Sequence, residues 1–264
     1  MKLTRAQLAA QAQFDRQAGN YGKKHLLADT SDLDEITREL PAPKAGDEAL
    51  DVACGGGHAS LFFARGGWKT VSCDLAPGML EQTRLLLDGE GFEGEFLLSP
   101  AEELPFASER FGLLSCRVAA HHFQSVPAFL GEAFRVLRPG GWLVVIDGAA
   151  PDGSPVAEAW LHEVEKLRDP SHGRFLSTEA WQREIAAAGF VVRQASQTPL
   201  LQPDLEAYFN TADTPKANRL RVLELCRTAP DEVVRVMRLT NQEGLIQWWW
   251  PRAAVLARRP EGRD

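Results

Sequence analysis

Three consecutive glycines, Gly55, Gly56 and Gly57, follow an apolar run that carries one acid, Asp51. Backbone without side chains admits positive φ and the close approach of a ligand, so a strand, a glycine turn and a helix in this order make a nucleotide-type cofactor site. About one strand–helix unit later stands Asp74, spaced to accept hydrogen bonds from the two vicinal hydroxyls of a ribose. Glu102 and the pair His121–His122 come after further apolar segments. A neutral imidazole there can take up a proton near physiological pH. Adjacent histidines rarely aim at one ion and no third ligand stands at a helical spacing, so no metal is expected.

The elements that must position these residues follow from periodicity. Residues 4–18 read as an amphipathic helix, with Leu8, Ala12 and Phe14 among its apolar positions, followed by a turn at 19–22 and a second helix from 31 to about 40. From residue 46 strand and helix alternate: strands at 48–53, 69–73, 94–98, 112–116 and 142–146, helices at 58–65, 77–87 and 127–137. Such alternation means right-handed βαβ units and a parallel sheet covered on both faces. Beyond 151 come helices at 156–167 and 178–188, a strand at 190–194, helical stretches at 205–210, 215–226 and 231–238, and a strand at 246–257 that closes the sheet. The tail from 258 to 264 reads as disordered.

Bulk properties narrow the partners. The chain has 264 residues, 44% of them hydrophobic, and a formal net charge of −7, which fits a globular protein and works against nucleic-acid binding. Its apolar runs are too short for a membrane span, and its first sixteen residues, polar and helical, do not look like a secretory signal. A cytoplasmic setting is expected. Cys54, Cys73, Cys116 and Cys226 show neither a CxxC pair nor metal-ligand spacing, so buried reduced thiols are expected.

With these features in view, the chain resembles the class I S-adenosylmethionine-dependent methyltransferases, close to the ubiquinone/menaquinone biosynthesis C-methyltransferase type (methyltransferase type 11). The resemblance rests on ALDVACGGGHASLFFA at 49–64, VSCDLAPGML at 71–80, AEELPF at 101–106, AAHHF at 119–123 and FRVLRPGGWLVVIDGAAP at 134–151. It implies an α/β, Rossmann-like fold: a seven-stranded, mostly parallel sheet with helices on both faces. To this it adds an N-terminal helical lid at 1–43, a methyltransferase domain over 44–202 and 241–258, and a helical insertion at 203–240 forming part of the substrate pocket. By resemblance, Asp51 and the backbone of Ala53, Gly55 and Gly57 hold the methionine end of the cofactor, and Asp74 holds the ribose. Leu75 and Met79 pack on the adenine, with Ala101 and Glu102 at its edge. Arg117, Ala119 and His122 border the methyl group, and Phe14 and Tyr21 belong to the lid. Two positions depart from the family pattern. Pro100 stands where an acid is usual, so adenine is expected to be held by backbone and packing, and Gly112 replaces a common Asp.

The activity implied is in-line transfer of a methyl group to a small-molecule acceptor through a C, O or N nucleophile, with S-adenosylhomocysteine as product. His122 and His121 are the candidate bases. The acceptor pocket is expected from the lid, the loop at 169–175 and the helices between 204 and 239. Tyr208, His172 and Arg174 are further polar candidates, and one of Trp248, Trp249 and Trp250 is a candidate for its border. Two alternatives stay open. One is a non-catalytic S-adenosylmethionine-binding protein. The other is an NAD-dependent oxidoreductase, against which stand Ser60 at the third glycine of a GxGxxG count and the lack of a lysine four residues after Tyr21 or Tyr208.

Overall fold

The computed structural model describes residues 3–21, 26–202, 204–242 and 244–262. Gly22, which ends the expected first turn, Pro203, which opens the expected helical insertion, Glu243, and the last two residues of the tail lie outside the described residues.

One sheet organises the chain. Strands β1 (Glu48–Val52), β2 (Lys69–Asp74), β3 (Gly94–Leu98), β4 (Phe111–Arg117), β5 (Leu137–Gly148), β6 (Val191–Gln202) and β8 (Leu245–Arg258) lie in the order β3-β2-β1-β4-β5-β8-β6. The first five pair in parallel, and β8 runs antiparallel to both β5 and β6. An eighth strand, β7 (Thr240–Gln242), pairs only with the start of β8. Helices α3 (His58–Arg65), α4 (Pro77–Gly89) and α5 (Val126–Val136) link the parallel strands. Proline in the first turn of α4 and α5 and the Ser125 cap of α5 fix where those helices begin.

Several boundaries differ from the sequence reading. The last strand does not close the sheet: β8 lies inside it and β6 forms the edge. β6 runs to Gln202, eight residues further than its own pattern suggests, because β8 pairs with it from Val191↔Arg258 to Gln202↔Trp248, with one register shift between Val192 and Gln194. The second helix, α2 (Ser31–Ile36), stops early, where both the Thr37 backbone N–H and its hydroxyl donate to the Leu33 carbonyl. Within its described residues the tail is fastened to the sheet: the Arg259 guanidinium donates to the carbonyls of Phe134 and Leu137 and to Glu109, and its backbone pairs with Gly140 and Gly141.

One face of the sheet packs on α5 and α7 (Thr178–Ala187), burying Phe111, Phe129 and Trp181. The other face packs on α2 and α3 through Leu33, Ile36 and Phe63. Each large side chain so buried contributes about 1.5–3 kcal/mol. A separate apolar cluster joins α6 (Pro155–Arg168), α8 (Leu205–Thr211), α9 (Lys216–Arg227) and α10 (Asp231–Met237) to the first half of β8. Gly112 has a packing reason, since a Cβ there would lie 2.9 Å from the Arg138 guanidinium and 3.0 Å from the Trp68 ring. All four cysteines are buried and unpaired, and burial pushes their thiols up.

The N-terminal helix α1 (Arg5–Gln17) opens with a capping box between Thr4 and Gln7. Its inward face is not the apolar one expected. The buried residues are Gln13 and Gln17, whereas Leu8 is 51% exposed.

Candidate active site

The direction of chain crossover reverses between β1 and β4, and ligands of open α/β sheets sit at the carboxyl ends of strands at such a switch point. Here Asp51, at the end of β1, accepts from Ser60 Oγ at 2.7 Å and from Ser115 Oγ at 2.9 Å. Burial nevertheless pushes its carboxyl above the usual range. Asp74 ends β2 and holds the glycine turn: its Oδ2 accepts from the Gly55 N–H and its Oδ1 from the Ala76 N–H, both at 2.9 Å. Burial raises it to about 6 despite those bonds.

The turn itself leaves no room for side chains. Gly57 has φ +82, and a Cβ there would lie 2.7 Å from the Thr83 methyl; at Gly56 it would collide with the Tyr21 carbonyl oxygen. Ala53 and Val118, immediately beyond β1 and β4, both have φ +55, an unusual conformation, above all for a β-branched residue, and one that concentrates at functional sites.

These strand ends open on a cavity of about 480 Å³, within the range of about 300–1,000 Å³ common for ligand sites. Asp51, Ala53, Gly55, Asp74, Leu75, Met79, Ala101, Glu102, Arg117, Tyr21 and His122 all line it. Gly57 and His121 do not: the first lies against Thr83 and the second behind His122. Pro100, Ser99 and Ala101 border the same wall. Arg117 contributes surface, but its guanidinium is committed elsewhere: it pairs with Asp32 at 2.9 Å and donates to the carbonyls of Leu27 and Asp29.

Helix α1 covers the cavity, with Phe14 on its lining. Polar contacts hold it there: Gln7 donates to Glu102, Gln11 to the Leu75 carbonyl, Gln13 to Asp169, and Asp15 accepts from the Gly78 N–H.

The far end of the cavity is built from histidines and the loop after α6. His121 Nδ1 lies 2.6 Å from Asp147 Oδ1; burial opposes its protonation, but the Asp147 charge and hydrogen bond outweigh that and raise its pKa. His122 stacks at a tilt, its ring centroid 4.0 Å from that of His121, and burial together with that neighbour pushes it down to about 3. His122 Nδ1 meets Ser171 Oγ at 3.0 Å, and Ser171 Oγ donates to Asp169 Oδ1 at 2.6 Å. His172 lines the same end, and burial and the adjacent imidazoles depress it to about 2.

Of the other polar candidates, Tyr208 is buried in the C-terminal cluster and donates to Glu165, and Arg174 is an exposed partner of Glu158. Trp248, Trp249 and Trp250 stay off the cavity, as do the helices between Asp204 and Leu239, which pack on α6 and β8 instead. The loop at 169–175, expected at the acceptor pocket, supplies Pro170, Ser171, His172 and Gly173 to the lining, although Ser171 was not singled out within it. Sequence reasoning missed Gln13 and Val118; the glutamines at positions 7, 11 and 13 were the available signal for the first, and an isolated Val carries none.

Known proteins resemble this chain in sequence and fold. A family model described as a methyltransferase domain matches residues 50–145. An uncharacterized methyltransferase, YcgJ of Bacillus subtilis, is 29% identical over 233 residues, covering 88% of this chain and 91% of the relative. A demethylmenaquinone methyltransferase of Thermus thermophilus is 35% identical over 174 residues, 59% of this chain and 79% of the relative. The crystal structure of a candidate methyltransferase from Bacillus halodurans superimposes with a TM-score of 0.81 at 30% identity, over 87% of this chain and 99% of that one. With the switch-point cavity, the glycine turn and Asp74 in the places described, the chain belongs to the class I S-adenosylmethionine-dependent methyltransferases.

Proposed function

We propose that this chain moves the methyl group of S-adenosylmethionine onto a small hydroxylated acceptor, through oxygen or an enolisable carbon, leaving S-adenosylhomocysteine. The observation that carries the reading is a single cavity joining Asp74 and the bare glycine turn at one end to His122 at the other. The residues present fit the cofactor. Asp74 can accept from ribose hydroxyls, the free backbone of the turn can meet the methionine end beside Asp51, and Leu75, Met79 and Ala101 supply apolar packing for the adenine. When bound, the cofactor supplies a sulfonium, already a good leaving group, so positioning accounts for most of the protein's contribution.

The acceptor end favours a hydroxyl over a cationic amine. His122 and His172 are held neutral there, the cation Lys166 lies on the wall, and its Nζ donates to the carbonyls of Pro170 and His172. The Asp169 carboxylate already accepts from Gln13 and Ser171. The α1 segment acts as the cover that excludes water once the site is loaded. Buried free thiols suit a reducing compartment such as the cytoplasm.

Calorimetry with S-adenosylmethionine, S-adenosylhomocysteine and NAD in parallel tests the cofactor, followed by a screen of phenols, quinols and small amines with a methyl-labelled donor. Micromolar binding of the two sulfur compounds, silence from NAD and labelled phenol or quinol products are expected. Binding without turnover on any acceptor class would favour a non-catalytic S-adenosylmethionine sensor, and NAD binding alone an oxidoreductase.

A further inference from the structure

Three side chains form a line of hydrogen bonds that ends at the cavity wall. Burial opposes ionisation of Asp169, but the hydrogen bonds it accepts from Ser171 and Gln13 hold it below the usual carboxylate range. An ionised carboxylate only accepts, so the one hydroxyl proton of Ser171 goes to Asp169 Oδ1, 2.6 Å away. Ser171 Oγ is then an acceptor toward His122, and Nδ1 at 3.0 Å carries the ring proton. Among the described residues Ser171 is the ring's hydrogen-bonding neighbour, through its hydroxyl at Nδ1 and through its backbone; with the one proton of the neutral ring on Nδ1, Nε2 keeps its lone pair. An imidazole free in water favours the opposite tautomer, with the proton on Nε2.

We propose that Asp169 and Ser171 are positioning residues that hold His122 in the Nδ1–H tautomer so that Nε2 takes the acceptor's proton, and that Gln13 completes the line when α1 is docked. The inference rests on the methyl-transfer reading above and deepens it. Gln13 donates to Asp169 Oδ1 at 2.7 Å, and the next residue, Phe14, sets its ring edge-on against His122 at 4.9 Å between centroids. Covering the cavity and aligning the base are therefore one event, made by two consecutive residues of one helix.

A neutral imidazole of low basicity is sufficient for this reaction. As the bond from acceptor oxygen to methyl carbon forms, the carbon–sulfur pair remains on sulfur and the oxygen becomes a strong acid. His122 Nε2 then receives the proton, and one positive charge, formerly on sulfur, ends on the imidazolium until solvent removes the proton at product exchange. Asp169, reached through Ser171, faces that charge as it appears.

The test is the ring tautomer, which does not depend on knowing the acceptor. Full-length protein labelled with 15N-histidine is examined by long-range 1H–15N correlation, His122 being assigned by its loss in His122→Gln. The expected result is an Nδ1–H ring in the native chain, kept in Ser171→Thr and shifted toward Nε2–H in Ser171→Ala and Asp169→Asn. An Nε2–H ring in the native protein, or an unchanged ring in Ser171→Ala, overturns the proposal. The native measurement alone decides if a variant fails to fold. Affinity for S-adenosylhomocysteine is read on the same samples and should change less than threefold in Ser171→Ala. Absent binding by the native chain would overturn the methyl-transfer reading and leave the tautomer result standing.

Discussion

Two carboxylates at neighbouring strand ends, both buried and both raised, serve different partners. Asp51, on the cavity lining, already accepts from Ser60 and Ser115, whereas Asp74 touches only backbone N–H groups and has lone pairs left for a ligand. Because Asp74 is raised to about 6 by burial, its ionised form is lost as pH falls through that value. Ribose hydroxyls donate, so they prefer the ionised form, and affinity must fall on the acid side. Kd for S-adenosylhomocysteine should rise about tenfold between pH 7 and pH 5, by one-proton linkage. In Asp74→Asn the profile should flatten and the affinity at pH 7 drop by about 1.5–3 kcal/mol, the scale of a hydrogen bond to a charged group. Calorimetry across pH decides; an unchanged slope in the variant would remove Asp74 from the ribose. Asp74 could be read from the chain because its place follows from one strand–helix count. Ser171 could not, since its partners Asp169 and His122 come together only when the loop after α6 folds against the end of β4.

At the level of elements, the glycine turn and the N-terminal segment are built against each other. The absent side chain of Gly56 makes room for the Tyr21 carbonyl, and α1 is fastened by glutamines rather than by an apolar stripe. Each such bond nets about 0.5–1.5 kcal/mol, a strength suited to a segment that must release product. Gly56→Ala should therefore push the Tyr21 backbone away without disturbing the sheet. We expect the cofactor affinity to fall at least tenfold, with faster amide exchange in α1 and strand amides of β1 and β4 protected as before. Exchange read by mass spectrometry checks this, and equal loss of protection across the sheet would mean the glycine serves the core. Elements with local signals, such as α3 and β3, were legible to the residue. The inward face of α1 was not, because Gln and Ala mimic a solvent-facing pattern, and the length of β6 was not, because its ladder depends on β8 some fifty residues later.

For the molecule as a whole, β8 decides whether the chain has one folding unit or two. Its second half, paired with β5 and β6, lies in the sheet core; its first half carries Trp248 into the C-terminal helical cluster, where it meets Trp160 at 5.7 Å and Tyr208 at 5.2 Å between ring centroids. Since one continuous strand belongs to both cores and β6 accompanies it from Val191 to Gln202, opening the cluster exposes a ladder edge that the sheet also needs. Trp248 is fully buried, and replacing it with alanine should cost about 3–5 kcal/mol. At about 2–4 °C per kcal/mol for a chain of this size, Tm should fall by roughly 10 °C. If the two cores are coupled as the ladder implies, Trp248→Ala melts in one transition, with the near-ultraviolet and far-ultraviolet circular dichroism curves superimposed and both shifted down. A separate early transition in the near-ultraviolet alone would show that the helical cluster unfolds by itself. In that case saturating S-adenosylhomocysteine, whose cavity no residue of that cluster's helices α8–α10 lines, would raise only the later transition.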